Sequence, residues 1–219
     1  MSQHLLRQID QLKQKILYIG TCVEEAIAKA VDAMSNRDRQ LATEVIQSDD
    51  EIDRLEVEVE EECLKTLALY QPVAADLRFV IAILKINNDL ERIGDLATNI
   101  AKRAFYLANC PHIDLISDLQ TMAAKAQSMV KDSLDALVNH DARLARKVRE
   151  DDDEVDNMRH EIQAHVRERM QQHPEDYESW SKVNSVSRHI ERVADMAMNI
   201  AEEVIYLTEG SIVRHRPQE

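Results

Sequence analysis

The chain has 219 residues, of which 44% are hydrophobic and 31% are charged, and its formal net charge is −14. This composition provides for a buried core under a solvated surface, and the excess of acids argues against nonspecific binding to nucleic acids. Only 3 glycines, 4 prolines and 4% aromatic residues are present, so sheet-forming side chains and turn residues are scarce. We therefore predict an all-α protein without a nucleic-acid partner.

The three cysteines, Cys22, Cys63 and Cys110, are widely spaced and form no C-x-x-C pair. An odd number at such spacing predicts neither a disulfide framework nor a zinc–thiolate site. The N-terminal residues lack the apolar core of a signal peptide, and no stretch approaches the ~20 apolar residues that a membrane span requires. We predict a cytoplasmic protein in a reducing compartment, without direct membrane insertion.

Apolar residues recur at alternating steps of three and four along most of the chain, which is typical of helices that pack into bundles. The clearest seam begins with Phe79, Ile83 and Ile86, and a second begins with Val183 and Val186. Segments rich in Pro, Asn, Asp and Gly interrupt the pattern. The pattern predicts six helices, near residues 5–34, 38–69, 75–108, 114–138, 141–171 and 176–208. Helices of this length with short connections pack antiparallel.

The second half of the sequence repeats the first. Residues 89–101 (DLERIGDLATNIA) align with residues 189–201 (HIERVADMAMNIA), with residue numbers that differ by 100. Earlier in each half, residues 50–53 (DEID) match residues 153–156 (DEVD), with a difference of 103. A unit of three helices has therefore been duplicated. The repeat predicts two three-helix bundles in tandem, at residues 1–109 and 110–219.

Two helices of each repeat carry acidic residues four positions apart, which places them one turn apart on one helix face. The pairs are Asp49 with Asp53 and Glu91 with Asp95 in the first half, and Asp152 with Asp156 and Glu191 with Asp195 in the second. Each row follows the edge of the apolar stripe, and Asn99 and Asn199 extend two rows by one turn. Like charges at this spacing repel by roughly 0.2–0.5 kcal/mol unless a cation or an arginine offsets them.

Two such rows on adjacent helices would form a pocket lined with oxygen atoms. Carboxylate and amide oxygens suit Mg²⁺, Mn²⁺ or iron, whereas Zn²⁺ would lack its usual Cys and His ligands. The other interpretation is an ordinary solvated acidic face, with Arg92 and Arg192 balancing the charge. The spacing alone does not separate these two interpretations.

The sequence shows no catalytic apparatus, since it contains no P-loop, no G-x-G-x-x-G and no nucleophile clustered with a base. A ferritin-like carboxylate di-iron enzyme would need Glu-x-x-His pairs, and no Glu is followed by a His three residues later. We therefore predict that the protein is not an enzyme. A helical adaptor that binds its partners without metal stays open as an alternative, because a partner surface leaves no motif.

Residues 90–95 (LERIGD) and 190–195 (IERVAD) resemble the paired signature of the PhoU family, and the resemblance extends to residues 71–78 (QPVAADLR) and over essentially the whole chain. It implies a duplicated three-helix-bundle fold. It also implies a negative regulator of the phosphate-starvation response and of phosphate uptake. The expected partners are the ATPase subunit of the phosphate ABC transporter and the phosphate-sensing histidine kinase, and we expect the regulator to be a homodimer.

Some members of this family bind iron or other divalent metals through E/D-x-x-x-D motifs. The resemblance therefore implies eight metal ligands, with Fe, Mn, Mg and Zn left open: Asp49, Asp53, Glu91, Asp95, Asp152, Asp156, Glu191 and Asp195. The chain departs from the family pattern at Ala194, where Gly is usual. We expect the first site to bind metal more readily, because Arg188 lies three residues before Glu191 on its face and competes for the carboxylate.

Overall fold

The computed structural model describes residues 3–110 and 116–210. It contains six long helices, which are α1 Gln3–Asn36, α2 Arg39–Tyr70, α3 Ala74–Leu107, α4 Ile116–Asn139, α5 Ala142–Gln172 and α6 Tyr177–Glu209, and a 3₁₀ turn, Pro174–Asp176, precedes α6. The six predicted helices are confirmed, and their ends agree to within two residues. Positions 114 and 115, where the fourth helix was predicted to start, lie outside the described residues.

The helices α2 and α5 begin with the same local structure. Asp38 and Asp141 are their N-caps, and each carboxylate accepts hydrogen bonds from two backbone N–H groups of the first turn. The residues before them, Arg37 and His140, have φ angles of 57° and 50°. The chain therefore passes through the left-handed region directly before each cap, where the capping carboxylate satisfies N–H groups that the helix leaves unpaired. This match supports the duplication independently of the carboxylate rows.

The helices of each half pack against one another, α1 with α2 and α3, and α4 with α5 and α6. Contacts of α3 with α6 and of α1 with α4 join the halves. Within the described ranges, α2 and α5 contact no helix of the other half. The fold is thus all-α, with two three-helix bundles related by duplication. The predicted division at residues 109 and 110 follows α3 and stays a prediction.

The predicted seams of α3 and α6 form the centre of the core. Side chains such as Ile83, Leu90 and Ile190 are no more than 1% exposed, and complete burial of a large aliphatic side chain stabilises the fold by about 1.5–3 kcal/mol. Every predicted seam residue of α3 is buried. In α6 the exception is Leu207, which is partly buried and packs against the core near the end of the helix.

Polar contacts show that α3 and α6 run antiparallel. Near the start of α3, the Lys85 ammonium lies 3.2 Å from the almost fully buried carboxylate of Glu203. Near the end of α3, the Lys182 ammonium of α6 lies over the ring of Tyr106, 5.1 Å from the ring centre. The Lys85 ammonium also lies over the ring of Tyr206 of α6, 5.9 Å from the ring centre. Because Tyr106 and Tyr206 hold equivalent repeat positions, the two halves approach each other with approximate two-fold symmetry.

The sequence predicts neither membrane insertion nor disulfides. No helix in residues 3–110 or 116–210 has the length and apolar character that crossing a bilayer requires. The three cysteines are free, and Cys63 is buried while Cys22 and Cys110 are half-buried. Burial raises the pKa of the Cys63 thiol to about 12, so this side chain behaves as a small hydrophobic residue.

The departure at Ala194 has a compensating change on the neighbouring helix. A Cβ atom at Gly94 would lie 3.1 Å from Cδ1 and 3.2 Å from Cγ2 of Ile52 in α2. At the equivalent positions the second half has Ala194 and Val155, and Val155 lacks the Cδ1 methyl group. The second half therefore lacks the side-chain atom that would lie nearest to an alanine methyl group at this position.

This pairing predicts the result of a double-mutant cycle. Gly94→Ala alone should destabilise the protein by about 1 kcal/mol, because overpacking costs about 1–3 kcal/mol and the gain in helix propensity returns up to about 1 kcal/mol. In the Ile52→Val background the same change should cost less, because valine lacks the Cδ1 atom that lies 3.1 Å from the new methyl group. Urea unfolding of the four proteins measures the coupling, and additive effects within about 0.3 kcal/mol would contradict the pairing.

Candidate metal centres

The structure brings the four predicted acids of the first half together across α2 and α3. Burial raises the pKa of Asp49, a hydrogen bond from Thr98 lowers it, and Asp53 and Asp95 raise it further. Burial likewise raises the pKa of Glu91, to which Asp95 and Asp53 add. Acids of the two helices therefore act electrostatically on one another. Asp53 and Asp95 are nevertheless exposed.

The second half holds its four acids in a more enclosed site, since each of them is half-buried. Burial raises the pKa of Asp152 to about 7, and Asp195, Asp156 and Glu191 are among the acids that add to the shift. Burial also raises the pKa of Asp195, with further contributions from Asp156 and Glu191, while Arg192 lowers it. The Oδ1 atom of Asp152 is buried and has no hydrogen-bond partner.

The acids of each half are near one another but do not form a closed cage. In the described parts of the chain, no three of the eight acids bring carboxylate oxygens within 4.8 Å of one another. The group that meets this distance there is a different one, made of His173, Glu175 and Asp176 at the exposed start of α6.

The two asparagines make other contacts. The Asn99 amide nitrogen donates to the backbone carbonyl of Asp95 at 2.9 Å, and its Oδ1 accepts from Arg103 at 3.3 Å. Asn199 lies 3.9 Å from the sulfur of Met196. A metal that used the Asn99 oxygen would have to displace Arg103. Ligation by Asn99 and Asn199 stays a prediction.

The two sites differ most at a residue that the sequence analysis missed. Arg159 of α5 places Nε 3.0 Å from Oε2 of Glu191, and the arginine side chain is only 12% exposed. The equivalent residue in α2 is Glu56, whose charge raises the pKa of Glu91. Arg188 was predicted to compete for the Glu191 carboxylate, but in the structure the ion pair of Glu191 is with Arg159. Extending the 103-residue comparison along α2 would have found this difference.

Crowding of charge in the second site predicts that Asp152→Asn stabilises the metal-free protein. The pKa of Asp152 in the folded protein, about 7, lies above its ordinary value of 3.8. The carboxyl therefore costs no stability below pH ~4, its cost grows between pH ~4 and pH ~7, and the cost is constant above that range. Because the side chain is half exposed, we expect a gain of only about 1 kcal/mol at pH ~8 and none at pH ~4.

Urea unfolding in the presence of a chelator measures this difference at both pH values. Asp50→Asn, which removes an exposed acid outside the group of four, is the control and should change the free energy of unfolding little. An Asp152→Asn protein that is equally stabilised, or destabilised, at both pH values would contradict the electrostatic interpretation.

Comparison with known proteins identifies relatives of this chain. The family model described as PhoU domain matches residues 16–104 and 119–204, one match in each half. A protein of Aquifex aeolicus named phosphate-specific transport system accessory protein PhoU homolog is 41% identical over 212 residues, which cover 97% of this chain and 96% of that protein. The Pseudomonas aeruginosa protein of the same name is 37% identical over 219 residues, covering 98% and 89% of the two chains.

Two solved structures share the fold. The crystal structure of PhoU from Pseudomonas aeruginosa superposes with a TM-score of 0.91 at 34% identity and covers 94% of this chain and 99% of its own. That of the phosphate transport system regulatory protein PhoU from Streptococcus pneumoniae gives 0.88 at 30% identity, with coverage of 95% and 99%. With both halves matched in sequence and in structure, the chain belongs to the PhoU family.

Proposed function

We propose that this protein is a negative regulator of the phosphate-starvation response and of phosphate uptake. The observation that carries the proposal is the similarity, over nearly the full length of both chains, to proteins named as accessory proteins of the phosphate-specific transport system. The proposed partners are the ATPase subunit of the phosphate ABC transporter and the phosphate-sensing histidine kinase. The site of action is the cytoplasm, where both partners expose the domains that such a protein can reach.

The architecture suits an adaptor that is not an enzyme. Long helices with fully buried seams leave two outer helices, α2 and α5, that contact only their own half within the described residues. Their solvent-facing sides are therefore available to partner proteins. We propose that the protein acts as a homodimer, which would present each of these sides twice. Docking on the transporter would then report the transporter's state to the kinase.

The acids of each half also support binding of divalent or iron-type metal ions. The buried Oδ1 of Asp152 has no partner, and several carboxylates raise one another's pKa, so the donor set fits a cation. Oxygen ligands suit iron, Mn²⁺ and Mg²⁺ better than Zn²⁺. The proposed ligands are Asp49, Asp53, Glu91 and Asp95, and in the second half Asp152, Asp156, Glu191 and Asp195. A bound metal would neutralise their repulsion and link α2 to α3 and α5 to α6.

The two sites should differ in affinity. Glu56 adds negative charge near Glu91, whereas the Arg159 guanidinium lies 3.0 Å from one carboxylate oxygen of Glu191 and competes with a cation for it. We therefore propose that the first half binds metal more tightly than the second. The competing view, an adaptor that works without metal, predicts no link between metal content and activity.

Substitution of the acids tests the metal proposal. Asp95→Ala and Asp195→Ala should each lower the metal content of the purified protein, measured by elemental analysis, because each removes a ligand from one half. Each should also lower the thermal midpoint in the presence of metal, because metal bound only to the folded state stabilises it. Asp50→Ala, which removes an exposed acid of α2 outside the site, is the control and should leave both values unchanged.

Arg159→Gln provides the opposite test, since freeing Glu191 should raise the metal affinity of the second half. If Asp95→Ala and Asp195→Ala retain the full metal content and thermal midpoint, the metal has no place in the mechanism. The regulatory proposal would then rest on the adaptor function alone.

A reporter assay tests the regulatory function. In cells that lack their own PhoU-type protein, alkaline phosphatase stays high although phosphate is plentiful if repression is lost. This chain, expressed at a low level, should return the activity to the repressed baseline. The same assay with the transporter and kinase that accompany this chain excludes a failure to recognise foreign partners. Unchanged activity with the chain's own partners, despite a folded protein, would overturn the proposal.

A further inference from the structure

One end of the contact between α3 and α6 carries a cluster of positive charge, which we call the basic cluster. It consists of Arg103 of α3 and of Ser185, Arg188, His189 and Arg192 of α6. The α6 residues are spaced at i, i+3, i+4 and i+7, which places them on one helix face. The charges of Arg103, Arg192 and Arg188 add to the effect of burial, and together they lower the pKa of His189.

Hydrogen bonds within the cluster leave donors unused. Arg103 donates through Nε to the Ser185 hydroxyl at 3.3 Å, and through Nη1 to the side-chain oxygen of Asn99 at 3.3 Å. Ser185 Oγ lies 3.2 Å from Nε2 of His189. Since Arg103 can only donate, the hydroxyl proton is available to Nε2, which puts the proton of the neutral ring on Nδ1. That Nδ1 is buried and has no hydrogen-bond partner.

The opposite end of the same contact serves as an internal comparison, because approximate two-fold symmetry relates the two ends. There the charges balance, since Lys85 pairs with Glu203 at 3.2 Å and Arg92 with Asp89 at 3.9 Å. In the basic cluster the equivalents of Asp89 and Glu203 are His189 and Arg103. Both acids have thus been replaced, one by a neutral ring and one by a cation.

The arginines of the basic cluster lack acidic partners at ion-pair distance. Among the ion pairs of the described residues, none includes Arg103, Arg188 or Arg192. Arg192 lowers the pKa of Asp195, and Arg188 lies three residues before Glu191 on α6. Arg103 instead hydrogen-bonds to neutral groups of Ser185 and Asn99.

We propose that the basic cluster is a binding site for a small oxyanion of the phosphate or sulfate class. Guanidinium groups present planar pairs of N–H donors that match such an anion, and the Nδ1–H of His189 adds a neutral donor. The half-buried position of Arg103 between two helices lowers the local dielectric constant and strengthens the attraction. This inference stands on charge balance at the contact between the halves, and it does not depend on the regulatory function proposed above.

Isothermal titration calorimetry on the metal-free full chain, in the presence of a chelator, tests the site with inorganic phosphate as the probe. The chelator removes any metal that could bridge phosphate to the acids. We expect saturable binding that sulfate competes with and that chloride at the same ionic strength does not. Arg188→Gln changes an exposed residue and should weaken phosphate binding about tenfold, which corresponds to about 1.4 kcal/mol. Arg103→Gln should weaken it at least as much.

Arg92→Gln is the matched control, because it removes the same charge at the position equivalent to Arg192 in the balanced end. It should leave phosphate binding within about twofold of the unmodified protein. Circular dichroism of each variant checks that the helices are intact, and Arg188→Gln keeps the test valid if Arg103→Gln loosens the contact between α3 and α6. Absence of saturable binding, equal competition by chloride, or unchanged affinity in Arg188→Gln would each overturn the proposal.

Discussion

The antiparallel packing of α3 against α6 is the constraint on which the rest of the molecule depends. These two helices carry the continuous apolar seams, and each is the partner against which the other two helices of its half pack. They also carry half of the predicted metal ligands and every residue of the basic cluster. Because a packed helical core is rigid, the positions of the acids and of the arginines are set by this one contact.

Duplication explains both the similarity and the inequality of the halves. The caps at Asp38 and Asp141 and the four acids of each half persist at matching positions. Buried packing has changed in compensated pairs, as at Gly94 with Ile52 and Ala194 with Val155. The polar positions have diverged without this limit, so the position held by Glu56 in the first half is held by Arg159 in the second. Shape is therefore conserved between the halves, whereas electrostatics is not.

The fold could be predicted closely because its determinants are local. Helical periodicity, caps and turns each depend on residues within a few positions of one another. The constant difference in residue number between matching segments showed that the second half repeats the first. The grouping of the acids across two helices followed from the same repeat. The ion pair of Arg159 with Glu191 was missed because it depends on the rotation of α5 against α6, which helical periodicity does not specify. The cluster around Arg103 depends in the same way on how the two halves dock, a contact between residues 82 or more positions apart.

Four polar residues form a row along one face of α3. Glu91, Asp95, Asn99 and Arg103 follow one another at four-residue steps, and the Asn99 side chain bonds to both of its neighbours in this row. The candidate metal site of the first half and the basic cluster between the halves thus share one helix, α3. A displacement of α3 would therefore move both groups of residues together.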